Sequence, residues 1–185
     1  MTLSPSAMSW NNQDTRFNNV CEWLSNETGE TYRLLREAEW EYACRGGTIT
    51  AFWNGNEMDQ VTRVANVKDE SVRDRFMNPN GEYEKGRDGF VFTSPVGSYP
   101  SNPFGLYDTH GNVQEWCRDY YHAEFYRRAA EDDPENNQPG EQRVVRGGSF
   151  KSAAGESRSA SRTGQIEDDG ACTCKGFRVL SVIDA

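Results

Sequence analysis

The chain has 185 residues, with 29 acidic against 20 basic side chains and a formal net charge of -9, so its field repels phosphate backbones and anionic lipid surfaces and excludes nucleic acid as an expected partner. Hydrophobic residues make up 35%, and five Trp, eight Tyr and nine Phe supply large apolar faces, enough to pack one core in a single domain spanning 1–185. No run reaches the length of a membrane span, and Met1 to Trp10 lack the basic start and apolar stretch of a leader, so the expected location is the cytoplasm, or a cell or virus surface reached by another route.

From Asn12 to Leu24, Phe17, Val20, Cys21 and Leu24 recur at helical spacing, with Asn12 or Asp14 as cap and Gly29 as terminator. A strand-like Tyr32-Arg33-Leu34 follows. Arg36 to Cys44 then sets Ala38, Trp40, Tyr42 and Ala43 between carboxylates, and Gly46-Gly47 ends this second helix. Beyond Gly47, Gly, Pro, Asn and Asp punctuate short segments, and helical character is confined to a turn near Ala123 to Ala130. Glu131 to Glu141 is acidic, rich in Asn and Pro, and reads as an exposed loop. Arg143 to Phe150 and Gly176 to Ile183 are the best strand candidates. The excursion between them, Lys151 to Lys175, has the length at which a loop carries a working surface.

Cys21, Cys44, Cys117, Cys172 and Cys174 are an odd number in no obvious framework, so reduced thiols are expected. Cys21 and Cys44 lie in the helical patterns and read as small buried hydrophobes. Cys172-Thr173-Cys174 is either a pair for a soft metal or two ordinary thiols.

Met8-Ser9-Trp10, CEWLSNETGETYRLLREAEWEYACRGGT from Cys21 to Thr48, PVGSYPSNPFGLYDTHGNVQEW from Pro95 to Trp116, then RVVRGGSF and GFRVL follow one another in this order. Together they resemble the sulfatase-modifying factor, or formylglycine-generating enzyme, family. The resemblance covers nearly the whole chain, with no counterpart to the family's N-terminal third ahead of the Ser-Trp motif. It implies an α+β, C-type-lectin-like fold of the formylglycine-generating type: two helices with a small, irregular, mostly antiparallel sheet and long loops.

The resemblance also implies calcium as a structural staple, because loops supply the carboxylate, amide and carbonyl oxygens that this hard cation takes. One family site matches Asn66, Val67, Asp88 and Phe90. The second matches Asp108, Gly111, Val113 and Glu115, where the alternative is that Asp108 and Glu115 cap turns without metal.

In the enzymes of the family two cysteine thiolates hold copper(I), one just after the RGGS motif and one several residues later. Ser152 and Ser157 stand there in this chain, and a hydroxyl does not suit copper(I). No copper and no oxidase activity are therefore expected. The three-histidine iron of a related branch is excluded because only His110 and His122 exist, and no nucleophile-elbow signature supports a serine hydrolase.

Variable proteins of diversity-generating retroelements share this resemblance. Their variable stretch opens on an RGGS-like and closes on a GFR-like motif, as Arg146 to Ser149 and Gly176 to Arg178 do here. Asparagine template codons randomised at adenine yield Ser, Thr, Ala, Gly, Asp, Phe, Tyr, Cys and Ile, but not Lys, Glu or Gln. Within 150–174 the reachable set covers Phe150, Ser152, Ala154, Gly155, Ser157, Ser161, Thr163, Gly164, Ile166, Asp168, Asp169, Ala171, Cys172 and Cys174. Lys151, Glu156 and Gln165 are fixed framework, and Arg158 and Arg162 sit where the family places supporting residues. Gly, Ser and Ala are also common in any loop. The implied function is a non-catalytic ligand-binding display protein that meets a protein or carbohydrate on another cell or particle. The alternatives are a truncated or altered oxidase relative and a calcium-stabilised structural subunit.

Overall fold

The computed structural model describes residues 15–77, 81–166 and 173–183. In chain order the elements are α1 (Thr15–Thr28), β1 (Thr31–Leu34), α2 (Glu37–Arg45), α3 (Glu70–Phe76), β2 (Gln114–Tyr120), β3 (Arg143–Arg146), β4 (Thr163–Gln165), β5 (Lys175–Gly176) and β6 (Val179–Val182). Single 3-10 turns lie at Met58–Arg63, Phe125–Arg127 and Ala154–Ser157. This is the α+β architecture expected. No helix among the described residues is long and apolar enough to cross a membrane.

The chain packs as two compact units, one formed by its two ends and the other by Leu35–Arg178. In the first, Cys21 is the buried residue of α1 while Val20 and Trp23 are exposed. Gly29 ends the helix at φ 78°, its N–H donating to the Ser25 carbonyl. Ser25 Oγ in turn accepts the Tyr32 N–H at 2.9 Å and ties helix to strand. β1 and β6 pair antiparallel, from Thr31 opposite Val182 to Leu34 opposite Val179.

In the second unit the sheet order is β4-β3-β2-β5. β2 pairs antiparallel with β3, Glu115 opposite Arg146 and Trp116 opposite Val145, and the register shifts between Trp116 and Tyr120. β4 extends the antiparallel side and β5 adds a short parallel edge. Helix α2 buries Glu37, Trp40 and Cys44, positions three and four apart that share one helical face, and packs on β2 and β3. Its first amide donates to the buried carboxylate of Asp119 at 2.7 Å, a negative charge at the positive end of the helix. The Arg36 N–H donates to Glu39 Oε2 at 2.8 Å, half of a capping box. The apolar core gathers Phe52, Val61, Val64, Ala65, Val67 and Ala154.

Three elements depart from the sequence pattern. α3 is an extra helix with no buried residue; it is set by the Asp69 cap, whose side chain accepts the Ser71 N–H, and not by an apolar stripe. The strand expected to reach Phe150 stops at Arg146, because Gly147 and Gly148 take φ of 87° and 71°. The C-terminal strand divides into β5 and β6, which lie in different sheets. The thiols of Cys21, Cys44 and Cys117 are free, and Cys21 and Cys44 are buried as expected, as is Cys117, whereas Cys174 is disulfide-bonded, a correction to the all-reduced expectation.

Candidate functional site

The segment after β3 begins inside the molecule. Phe150, Ser152, Ala154 and Ser157 are 4%, 7%, 0% and 0% exposed, so these four do not belong to a contact surface, contrary to the sequence reading. The Phe150 ring and three small side chains fill the interior, and the backbone is stitched down by distant parts of the chain. The Phe150 N–H donates to the Asn112 carbonyl, the Lys68 N–H to the Ser152 carbonyl and the Ser159 N–H to the Ala51 carbonyl. The Ala154 N–H donates to Glu84 Oε1 at 2.8 Å.

The segment reaches the surface at Gly155 and again from Ser161 onward. Gly155 is half-buried, and a side chain there would enter open space. Ser161, Thr163 and Gly164 are half-buried and Ile166 is 47% exposed. Gly164 lies flat on Tyr121: a Cβ would stand 2.5 Å from the ring and 2.6 Å from Gln142 Oε1, so packing fixes this glycine. Cys174 is buried as well as disulfide-bonded and leaves the surface too. Asp168, Asp169, Ala171 and Cys172 lie outside the described residues.

A buried charge network holds the segment ahead of β4. Arg146 is 1% exposed and donates to the carbonyls of Ser159 (2.7 Å) and Ser161 (2.5 Å). It also pairs with Glu41 and stands 3.5 Å from Glu37. Arg162 grips Glu37 with two hydrogen bonds and donates to the carbonyls of His122 and Ala123. Beside it opens a pocket of about 410 Å³ lined by His122, Glu124, Phe125, Arg128 and Ala129. Arg162 was legible in sequence as a support, but Glu37 was not, because a helical Glu among other acids reads as a solvated face.

At the positions where the resemblance requires thiolates, Ser152 Oγ lies 3.5 Å from Ser149 Oγ, and Ser157 Oγ donates to the Ala153 carbonyl at 3.4 Å. Gly148 leaves room for Ser157, since a Cβ there would come within 2.2 Å of its hydroxyl. The nearby sulfur of Cys44 contacts Ser159 Oγ at 3.7 Å. Burial pushes the Cys44 thiol up to about 11, so it stays protonated. His110, 1% exposed, has Nδ1 2.8 Å from the Ser157 carbonyl, while Nε2 accepts the Trp53 N–H at 3.1 Å. Only the neutral ring with its proton on Nδ1 satisfies both.

The first calcium set converges. Asp88 Oδ2 accepts the Val67 N–H and Oδ1 the Phe90 N–H, each at 2.8 Å, while Asn66 Oδ1 is buried with no hydrogen-bond partner among the described residues. Burial, with the Asp69 carboxylate alongside, pushes Asp88 up to about 6. An orphaned amide oxygen near the buried Asp69 and half-buried Asp88 carboxylates fits a hard cation. Asp69, 0% exposed, was missed in the sequence; its Asp-x-Ser cap pattern was the available signal. The second set is divided between an ion pair and an orphaned oxygen. Glu115 accepts Trp40 Nε1 at 2.7 Å and Arg178 Nε and Nη2 at 2.5 and 2.6 Å, and Arg178 also reaches the Asp108 carbonyl at 3.4 Å. The Arg178 guanidinium supplies positive charge at Glu115, while Asp108 Oδ2 accepts the Gly97 N–H and Asp108 Oδ1, like Asn66 Oδ1, is buried with no hydrogen-bond partner among the described residues. Gly111 and Val113 therefore flank an internal ion pair.

Comparison with known proteins identifies the family. The chain is 35% identical over 155 residues to the formylglycine-generating enzyme of Streptomyces coelicolor, covering 82% of this chain and 47% of that one. It thus spans about half the length of that curated relative. Among solved structures, PvdO from Pseudomonas aeruginosa superposes with a TM-score of 0.74 at 32% identity, covering 90% of this chain and 59% of the other. Treponema denticola variable protein 1 superposes with a TM-score of 0.62 at 27% identity, covering 81% and 47%. The family described as the sulfatase-modifying factor enzyme 1-like domain matches residues 9–183, and the chain belongs to that family.

Proposed function

We propose that this chain is a non-catalytic binding member of its family, a display protein whose partner meets the exposed part of the segment between β3 and β5. The observation that carries the reading is the pair Ser152 and Ser157, where the family's chemistry needs two thiolates. Both are buried, and both hydroxyls already lie within hydrogen-bond distance of internal oxygens. A hard hydroxyl is a poor ligand for copper(I).

The proposed contact surface is Gly155, Ser161, Thr163 and Ile166, next to the pocket at His122–Ala129. Burial removes Phe150, Ser152, Ala154, Ser157 and Cys174 from it, and packing removes Gly164. Likeness to Treponema denticola variable protein 1 supports the retroelement reading. A segment with some residues locked in the core and others open can change its exposed side chains without unfolding. The partner is a protein or carbohydrate on another cell or particle, and calcium at Asn66 and Asp88 is proposed as a structural staple.

Identity to a formylglycine-generating enzyme favours a second reading, an oxidase relative with altered chemistry. Copper(I) stoichiometry and oxidation of a cysteine-containing peptide separate the two: we expect no tight copper and no turnover, and stoichiometric copper with turnover would establish the oxidase instead. For the retroelement, the genome should hold an adenine-rich near-copy of the segment beside a reverse-transcriptase gene; absence of both removes that part.

A further inference from the structure

Phe76, at the end of α3, and Phe92 are 54% and 58% exposed, and their rings meet edge to face with centroids 6.2 Å apart. Phe92 in turn packs edge to face on the buried Phe150 at 6.1 Å, and its carbonyl accepts Asn66 Nδ2 at 2.7 Å. The strip is therefore anchored to the core at one end and held by the backbone in the middle. Two cations flank it. The Arg75 guanidinium lies 5.9 Å from the Phe76 ring, and the Lys151 ammonium 5.3 Å from the Phe150 ring. The carboxylates of this region are otherwise engaged: Asp74 pairs with Arg73 and Arg87, and Glu70 pairs with Arg73. Among the described residues neither Arg75 nor Lys151 makes an ion pair.

In a chain of net charge -9, two exposed aromatic rings between two uncompensated cations are a local reversal of the surface field. Aromatic rings and arginine are the groups that dominate binding energy at interfaces. Covering the rings with a neutral or basic surface would desolvate both cations without a counter-charge, which is unfavourable; covering them with carboxylates would not. We propose that the Phe76–Phe92 strip is a docking site for an acidic, apolar peptide segment of a partner protein. This surface does not depend on the display reading of the β3–β5 segment.

The test is an amide-resolved NMR titration of the full chain with a synthetic peptide of alternating Glu and Leu. A Lys-for-Glu version of the peptide and anionic phosphatidylserine vesicles serve as comparison probes. Saturable shifts at Phe76, Phe92 and Lys151 with the acidic peptide are expected, weakened about tenfold or more by Phe92→Ser and, separately, by the double charge reversal Arg75→Glu with Lys151→Glu. Arg75 and Lys151 lie at the surface, so the charge-reversed variant should melt as the parent does and serves as the folding control, since Phe92→Ser also gives up the ring contacts with Phe76 and Phe150. The proposal is overturned by the absence of saturable shifts at the strip, by equal binding of the Lys peptide, by a response to vesicles alone, or by variants that bind as the parent does.

Discussion

Arg162 lays two donors of its guanidinium on Glu37, Nε 2.6 Å from one carboxylate oxygen and Nη2 2.7 Å from the other. Glu37 is 1% exposed and opens helix α2, while Arg162 immediately precedes β4. The pair fastens the start of the proposed display surface to the helix that packs on the sheet. Arg146, standing behind the same carboxylate, holds the carbonyls of Ser159 and Ser161.

Removing the carboxylate charge leaves the buried Arg146 and the half-buried Arg162 facing a neutral amide. Glu37→Gln should destabilise the chain by about 3–5 kcal/mol, the range for a buried pair broken on one side. Arg162→Lys keeps the charge but loses the paired geometry and should do less harm. Urea midpoints at constant slope measure both. A Glu37→Gln variant within about 1 kcal/mol of the parent would show that the network does not hold the segment.

Two glycines of the same segment should behave in opposite ways. Gly164→Val drives a branched side chain into the Tyr121 ring and Gln142, an overpacking that costs about 1–3 kcal/mol. Gly155→Tyr meets open space and should change stability by less than about 0.5 kcal/mol. Equal losses at both sites, read by thermal melts, would contradict the packing of Gly164 against Tyr121 and the open space at Gly155.

Legibility followed the source of each element's stability. α1 and α2 show in the sequence because they carry apolar stripes and glycine stops. α3 does not, since all its side chains face at least partly outward and only the Asp69 cap marks its start. β2, the central strand, stays hidden because its Glu115 and Asp119 are buried and paired, so apolar alternation never appears. The Ser152 and Ser157 positions could be reached through the family resemblance, which sets its thiolates after the RGGS motif. Their burial could not, because small polar residues read as loop until the partners at Asn112, Lys68, Glu84 and Ala51 come from distant parts of the chain.

Acid should weaken the fold through His110. Burial holds its ring down to about 4 against an ordinary 6.5, and a proton on Nε2 would face the Trp53 N–H. Above pH 6.5 neither the folded nor the unfolded state is protonated, and the contribution is intact. As pH falls from 6.5 toward 4 the unfolded state takes up the proton first, so stability declines by up to about 3 kcal/mol and then levels off. His110→Gln should flatten this part of the profile. An unchanged slope in the variant, from unfolding free energies measured between pH 7 and pH 4, would assign the acid sensitivity elsewhere.

Calcium at the Asn66 site should raise the melting temperature. A ligand present at about a hundredfold over its dissociation constant adds about 2.7 kcal/mol, which for a chain of this size is roughly 5–10 °C. The chelator-induced drop should vanish in Asn66→Ala; a drop that persists there and vanishes in Asp108→Asn would place the cation at the second orphaned oxygen, Asp108 Oδ1. Identical melts with calcium and with chelator remove the site.

Restoring sulfur tests whether the family's metal seat survives in outline. With Ser152→Cys and Ser157→Cys combined, two soft ligands replace two hard ones at the spacing that the family uses, and the bare Cα of Gly148 leaves space beside the second. The double variant should bind one copper(I) per chain in competition with a chromogenic chelator, while either single variant binds at least about tenfold more weakly, since one thiolate does not complete the soft pair. The parent chain should bind none tightly. If the double variant also fails to take copper while melting as the parent does, the serines do not occupy the thiolate positions. The argument for a non-catalytic role would then have to rest on other residues.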